Sequence, residues 1–235
     1  MNGTDVGIRR GNRGSSMRWK NVVAEKASGA SQSHDVRKLE YSREPAFFLH
    51  MTDEWDLEKF PAVWTIGNAE LLKCELLALF CSRKSPGAVL RKSHDFAIEL
   101  RRTGTPIIGG FQTPVEKMCL EIFLKGEQPV VVCPARGIQN MRVEREWAMP
   151  IEDGRLLLVS PFPARQRRPT KNTAEMRNKF VAAASDRLFI LHAAANSRTL
   201  AFVDELLAQG REVLTFDIKE NENLKRLGAT AWHAK

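Results

Sequence analysis

The side chains of this 235-residue chain that could act on a ligand are mostly cations and hydroxyls, set in short turns rich in Gly, Ser and Pro. Cys81-Ser82-Arg83-Lys84-Ser85-Pro86-Gly87 carries two cations and two hydroxyls into a helix start. Its backbone N–H groups, the hydroxyls of Ser82 and Ser85 and the charges of Arg83 and Lys84 suit a phosphate cradle, since turn amides and guanidinium forks both match phosphate oxygens. An ordinary capped turn between strand and helix has the same composition. In Gly109-Gly110-Phe111-Gln112-Thr113-Pro114, paired glycines let a ligand approach the backbone. Cys133-Pro134-Ala135-Arg136-Gly137 adds Arg136, and Ser160-Pro161 leads into a proline-stiffened basic loop holding Arg165, Arg167, Arg168 and Lys171. Arg177-Asn178-Lys179 follows within a helical pattern. His192-Ala193-Ala194-Ala195-Asn196-Ser197-Arg198-Thr199 then brings the hydroxyls of Ser197 and Thr199 to another helix start, where anions are favoured.

These groups point to binding rather than catalysis. His192 is a candidate general base, but no partner for it is visible in the sequence. There is no G-x-S-x-G elbow, H-E-x-x-H pair or pair of carboxylates at strand ends. Neither a G-x-G-x-x-G fingerprint nor a Walker loop supports a dinucleotide or nucleoside triphosphate mechanism. Cys74, Cys81, Cys119 and Cys133 are widely spaced, without a CxxC pair, and read as buried thiols. No cofactor and no metal are expected.

The turns need a scaffold that gathers them. Nearly uniform apolar runs at residues 76–81, 106–108, 129–133, 156–160, 188–192 and 213–216 read as strands buried on both faces. They alternate with amphipathic segments at 86–102, 115–125, 173–184, 199–209 and 222–227. Ser85-Pro86 and Thr113-Pro114 read as a cap residue before Pro at the first helical position, and Gly104 and Gly210 as helix ends. The alternation predicts a doubly wound, mostly parallel α/β sheet with helices on both faces. In such sheets ligands bind beyond the carboxyl ends of the strands, where these turns fall.

Residues 1–44, rich in Gly, Ser, Asn, Arg and Lys, read as a disordered basic tail, and residues 45–75 as a lead-in extension packed through Trp55, Phe60 and Trp64. The main domain is expected over residues 76–235. A hydrophobic content of 43% fits a globular protein, and a formal charge of +8 favours polyanionic partners. No apolar run is long enough to span a bilayer, so no membrane association is expected and a cytoplasmic location is. A homodimer through the sheet edge or last helix stays open.

Taken in order from Pro61 to Trp232, these turns resemble the Rossmann-like domain of the DNA-processing protein A (DprA, or Smf) family. Cys81-Ser82-Arg83 stands where the family has Gly-Ser-Arg, and Gly109-Gly110 through Val115-Glu116 where it has Ser-Gly-x-Ala-x-Gly-Ile-Asp. Arg177-Asn178-Lys179-Phe180-Val181-Ala182-Ala183-Ala184-Ser185 is similar to its Arg-Asn-Arg-Ile-Ile-Ala-Gly-Leu-Ser, Ser197-Arg198-Thr199-Leu200 to its Ser-Gly-Ser-Leu, and Gly228-Ala229 to its Gly-Ala. The resemblance implies a protein that holds single-stranded DNA in a basic pocket during natural transformation or recombination, with Arg83, Arg177 and Asn178 as phosphate contacts. It also implies a RecA-type recombinase as partner. Cys81, Pro114 and Arg198 depart from the family pattern and alter the pocket. The helical flanking domains of the family are not evident, so DNA binding is expected to be kept and recombinase loading lost.

The competing reading is a sensor or enzyme for a small phosphorylated nucleotide, related to the lonely-guy phosphoribohydrolases and molybdenum-cofactor carriers. Those enzymes carry Pro-Gly-Gly-x-Gly-Thr-x-x-Glu. Here the matching turn is Ala194-Ala195-Asn196-Ser197-Arg198-Thr199 with no helix Glu before Glu205, which argues against hydrolysis.

Overall fold

The computed structural model describes residues 35–48, 51 and 60–233. Its strands are β1 (Arg37–Glu40), β2 (Ala62–Gly67), β3 (Leu77–Cys81), β4 (Ile107–Gly109), β5 (Val130–Val132), β6 (Leu156–Ser160), β7 (Arg187–His192), β8 (Val213–Phe216) and β9 (Thr230–Trp232). The helices are α1 (Gly87–Thr103), α2 (Pro114–Leu124), α3 (Arg145–Glu152), α4 (Lys171–Ala183), α5 (Arg198–Ala208) and α6 (Glu222–Leu227). Among the described residues the strands form one nine-stranded sheet in the order β1-β2-β6-β5-β4-β3-β7-β8-β9. β3 to β9 run parallel, while β2 lies antiparallel to both β6 and β1.

Period-two alternation within the apolar strands builds two cores. Ala78, Phe80, Ile108, Val131, Leu188 and Ile190 face Phe180 and Val181 of α4, Val203 and Leu206 of α5 and Leu224 of α6. Leu77, Leu79, Ile107, Val130, Phe189 and Phe216 face Phe96 and Leu100 of α1 and Cys119 and Phe123 of α2. The sheet is doubly wound, as the alternation predicts. β3 leads through α1 toward β4 on one side, and β7 leads through α5 toward β8 on the other, so strand order reverses between β3 and β7. Their register slips between Phe80 and Cys81, which pairs with His192 instead of Leu191, and the slip falls at this switch point.

The structure corrects several boundaries. The stretch expected to be a tail through Glu44 contributes β1, in which Leu39 is fully buried. The lead-in supplies β2, so both belong to the sheet; residues 1–34 and Trp55 lie outside the described residues. α3 and β9 have no counterpart in the sequence reading. α3 holds Pro150 in its interior, where proline ordinarily signals a helix stop, and β9 is only three residues long. Thr113 caps α2 in a full capping box with Glu116, with Pro114 at the first helical position. At α1, however, the cap position falls on Pro86 with no side-chain bond, because the Ser85 hydroxyl donates to the Ser82 carbonyl. α1 ends at Gly104, whose left-handed backbone (φ 70°) suits a residue without Cβ.

Candidate functional site

Parallel strands put their following turns on one edge. Across it lie, in order, the basic loop after β6, Arg136 after β5, Gly109-Gly110 at the end of β4, Ser82 to Ser85 after β3, and Ser197 and Thr199 after β7. From β6 to β7 there are four strand spacings of about 4.8 Å, or about 19 Å.

On one side of the switch point, Arg177 of α4 reaches back under the β4 and β5 ends and is 5% exposed. Its Nη1 donates to the Cys133 carbonyl at 3.2 Å and its Nε to Asn178 Oδ1 at 2.9 Å. Gly110 leaves the space for the guanidinium, since a Cβ there would stand 1.2 Å from Nη1. Among the described residues no carboxylate pairs with this buried cation, and its Nη2 has no hydrogen-bond partner. A buried charge is costly unless an opposite charge or a dense set of hydrogen bonds compensates it. Beside Gly110, Phe111 adopts a left-handed backbone (φ 48°), rare for an aromatic residue, with its ring buried near Phe123.

The neighbouring turns are locked to one another. Gly137 N–H donates to the Gln166 carbonyl (2.8 Å) and Gln139 Nε2 to the Phe162 carbonyl (3.2 Å), so the Arg136 turn anchors the basic loop. Arg167, Arg168 and Lys171 are exposed, Arg136 is half-buried, and none has an ion-pair partner among the described residues. Thr170 caps α4, whose first residue is Lys171.

At the switch point the serines are engaged with the protein. Ser82 Oγ donates to Ser197 Oγ (3.1 Å) and accepts from the Ala194 N–H (3.0 Å), tying the β3 turn to the β7 turn. Ser85 bonds the Ser82 carbonyl, and Ser197 caps α5. Arg83 and Lys84 stand exposed above this clasp, and Thr199 is half-buried in the first turn of α5. Sequence reasoning missed Glu116. This buried carboxylate accepts the N–H groups of Cys81 (2.8 Å), Gln112 (2.9 Å) and Thr113 (3.2 Å), fixing the β3 turn against the β4 turn. Its position three residues after the Thr113 cap was a readable signal.

Beyond the clasp lies a cavity of about 490 Å³ between the turns after β3, β7 and β8. His192 lines it, and its missing partner is Asn221, with Nδ1 2.8 Å from Asn221 Oδ1. Nothing in the irregular turn after β8 marks Asn221 in sequence. The four cysteines are buried and free, as expected. Burial, the main cause, pushes the Cys81 and Cys133 thiols up to about 12 and raises Cys119 also; the Ser85 hydrogen bond at Cys81 and the Arg177 charge at Cys133 oppose it. Thiolate chemistry is thereby disfavoured. No described helix is long and apolar enough to cross a membrane.

A doubly wound parallel sheet with polar, cation-bearing turns gathered at a switch point defines a Rossmann-like α/β protein. Within that class, the chain belongs to the DNA recombination-mediator protein A family, whose model matches residues 50–233. The fold is similar to that of DNA processing protein A from Helicobacter pylori, a protein with a described single-stranded DNA binding mode (TM-score 0.63, 17% identity, 86% of this chain and 93% of that one). It is also similar to DprA from Streptococcus pneumoniae (TM-score 0.62, 17% identity, 82% of this chain and 75% of that one). A molybdenum cofactor carrier protein from Chlamydomonas reinhardtii superposes more loosely (TM-score 0.46, 11% identity, 68% of this chain and 90% of that one). Among curated proteins no sequence matches.

Proposed function

We propose that this protein binds single-stranded DNA along the carboxyl edge of its sheet, as a DNA-processing protein acting in transformation or recombination. The observation that carries this reading is Arg177: a buried guanidinium without a carboxylate, held beneath Gly110 with Nη2 unpartnered. A phosphate oxygen supplies the missing anion. The exposed cations Arg83, Lys84, Arg167, Arg168 and Lys171 and half-buried Arg136 extend the charge across neighbouring strand ends, as a strand carrying successive phosphates requires. Family membership and the likeness to DprA structures support the same assignment.

The test is titration of a labelled oligo-dT against the wild type and an Arg83→Ala/Arg177→Ala variant at low salt. Two lost charge-assisted contacts weaken binding by at least about tenfold. Equal affinities in the two proteins would place the strand elsewhere.

A further inference from the structure

The two sides of β1 meet different surroundings. On one side Leu39 is fully buried and belongs, with Phe47 and Val63, to the core that α4, α5 and α6 cover. On the other, Val36, Trp64 of β2 and Trp147 of α3 pack against the second core only in part, and each keeps exposed surface. Strands added to a doubly wound sheet are ordinarily covered by helices on both faces. Here, among the described residues, the helix nearest this edge on the second side is α3, which packs on β6 and β2. A ledge of half-covered apolar side chains is left at the β1 edge, floored by the sheet and bordered by a helix. Met149 of that helix is 62% exposed.

The chain that precedes β1 is suited to this ledge. Val36 stands on it, so the polypeptide leads off from this face. Among residues 1–34 the large apolar side chains are densest in Met17-Arg18-Trp19-Lys20-Asn21-Val22-Val23. Residues 24–35, which join that group to Val36, include Ser28, Gly29, Ser31 and Ser33. A flexible tether of this length spans roughly 17–21 Å, whereas the ledge from β1 to β6 is two strand spacings, about 10 Å, wide. So short a tether holds the segment at an effective concentration on the order of millimolar, which a partner arriving from solution would have to exceed. The charges are complementary as well. Residues 17–23 carry two cations and no acid, whereas α3 and its cap carry Glu144, Glu146 and Glu152 against Arg145 alone. These three glutamates are exposed and have no ion-pair partner among the described residues.

We propose that residues 17–23 dock on this ledge, with Trp19, Val22 and Val23 against Val36, Trp64 and Trp147, and Arg18 and Lys20 toward the glutamates of α3. The occupant is the chain's own segment, and the assignment does not depend on strand binding. The experiment is NMR on the full chain with ¹⁵N-labelled tryptophan and a nitroxide attached at Asn21→Cys. The four native cysteines are buried, so the introduced thiol is the one that reacts. The indole signals of Trp64 and Trp147, assigned by their loss in Trp64→Phe and Trp147→Phe, are broadened away by the nitroxide. Trp232 keeps its signal, since β9 is the opposite edge of the sheet, eight strand spacings or about 38 Å from β1. Replacing Trp19, Val22 and Val23 by Ser in the same labelled chain restores both signals. Mixing nitroxide-bearing chains that lack the isotope with ¹⁵N-labelled chains that lack the nitroxide leaves both signals intact. Signals that survive the nitroxide, or that are lost equally in the Ser variant, overturn the proposal. Broadening in the mixed sample overturns it too, by showing that the segment of a second copy occupies the ledge.

Discussion

Arg177 shows how one residue's environment carries more information than its type. Many arginines in this chain are solvated, but this one is buried, bonded to one carbonyl and one amide, and without a carboxylate. Gly110 is therefore coupled to it. In Gly110→Ala, the new methyl would displace the guanidinium it meets at 1.2 Å. Affinity for oligo-dT is expected to fall about tenfold or more, as a charge-assisted hydrogen bond contributes about 1.5–3 kcal/mol; unchanged affinity would show that Arg177 makes no contact with the strand. The buried thiols give a pH prediction. Cys81 and Cys133 keep their protons to about 12 in the folded protein, against 9.0 ordinarily. Between those values the unfolded chain binds fewer protons, so the stability they contribute is complete below pH 9 and falls as pH rises toward 12. Urea midpoints should be lower at pH 10 than at pH 8, and Cys81→Val should narrow the difference.

At the scale of elements, the segments easiest to read were those whose composition answers to a single environment. β3, β6 and β8 are apolar throughout because both faces are covered, and α2 announces itself through Thr113, Pro114 and Glu116. β1 was not legible, because Arg37, Lys38 and Glu40 face solvent or its boundary and only Leu39 is fully buried. Pro150 obscured α3, and the His192–Asn221–Thr215 chain joins three segments that only the folded sheet brings together. The turn motifs were legible, whereas the bonds that engage Ser82, Ser85 and Ser197 were not. Two consequences can be measured. Deleting residues 35–44 removes an edge strand and the buried Leu39, and should lower unfolding free energy by about 2 kcal/mol or more. Trp232 of β9 packs edge-on against Phe96, with centroids 4.7 Å apart, and is near Phe189 and Phe216; Trp232→Ala should cost about 3–5 kcal/mol. Denaturant titration checks both, and a loss below about 1 kcal/mol for Trp232→Ala would show that β9 is not part of the cooperative core.

For the whole molecule, the sheet acts as a ruler. Its parallel strands bring a basic loop, a buried arginine, a serine clasp and a cavity to one edge, and the chain's formal charge of +8 favours long-range attraction of polyanions. The two cores hold the turns in place from both faces, so the exposed cations at this edge can be replaced without disturbing the packing beneath. Arg167→Ala/Arg168→Ala/Lys171→Ala should accordingly weaken strand binding while leaving the thermal midpoint within a degree or two, roughly the range of exposed substitutions. The most direct test of strand binding is the salt dependence of oligo-dT affinity for the wild-type protein. If the edge neutralises about four phosphates, log affinity should fall with log salt at a slope of about −3, and the Arg83→Ala/Arg177→Ala variant should be shallower by about 1.4. A wild-type protein that binds no strand at low salt, yet is stabilised against heat by a mononucleotide, would contradict the account and leave the cavity beside His192 as the molecule's binding site.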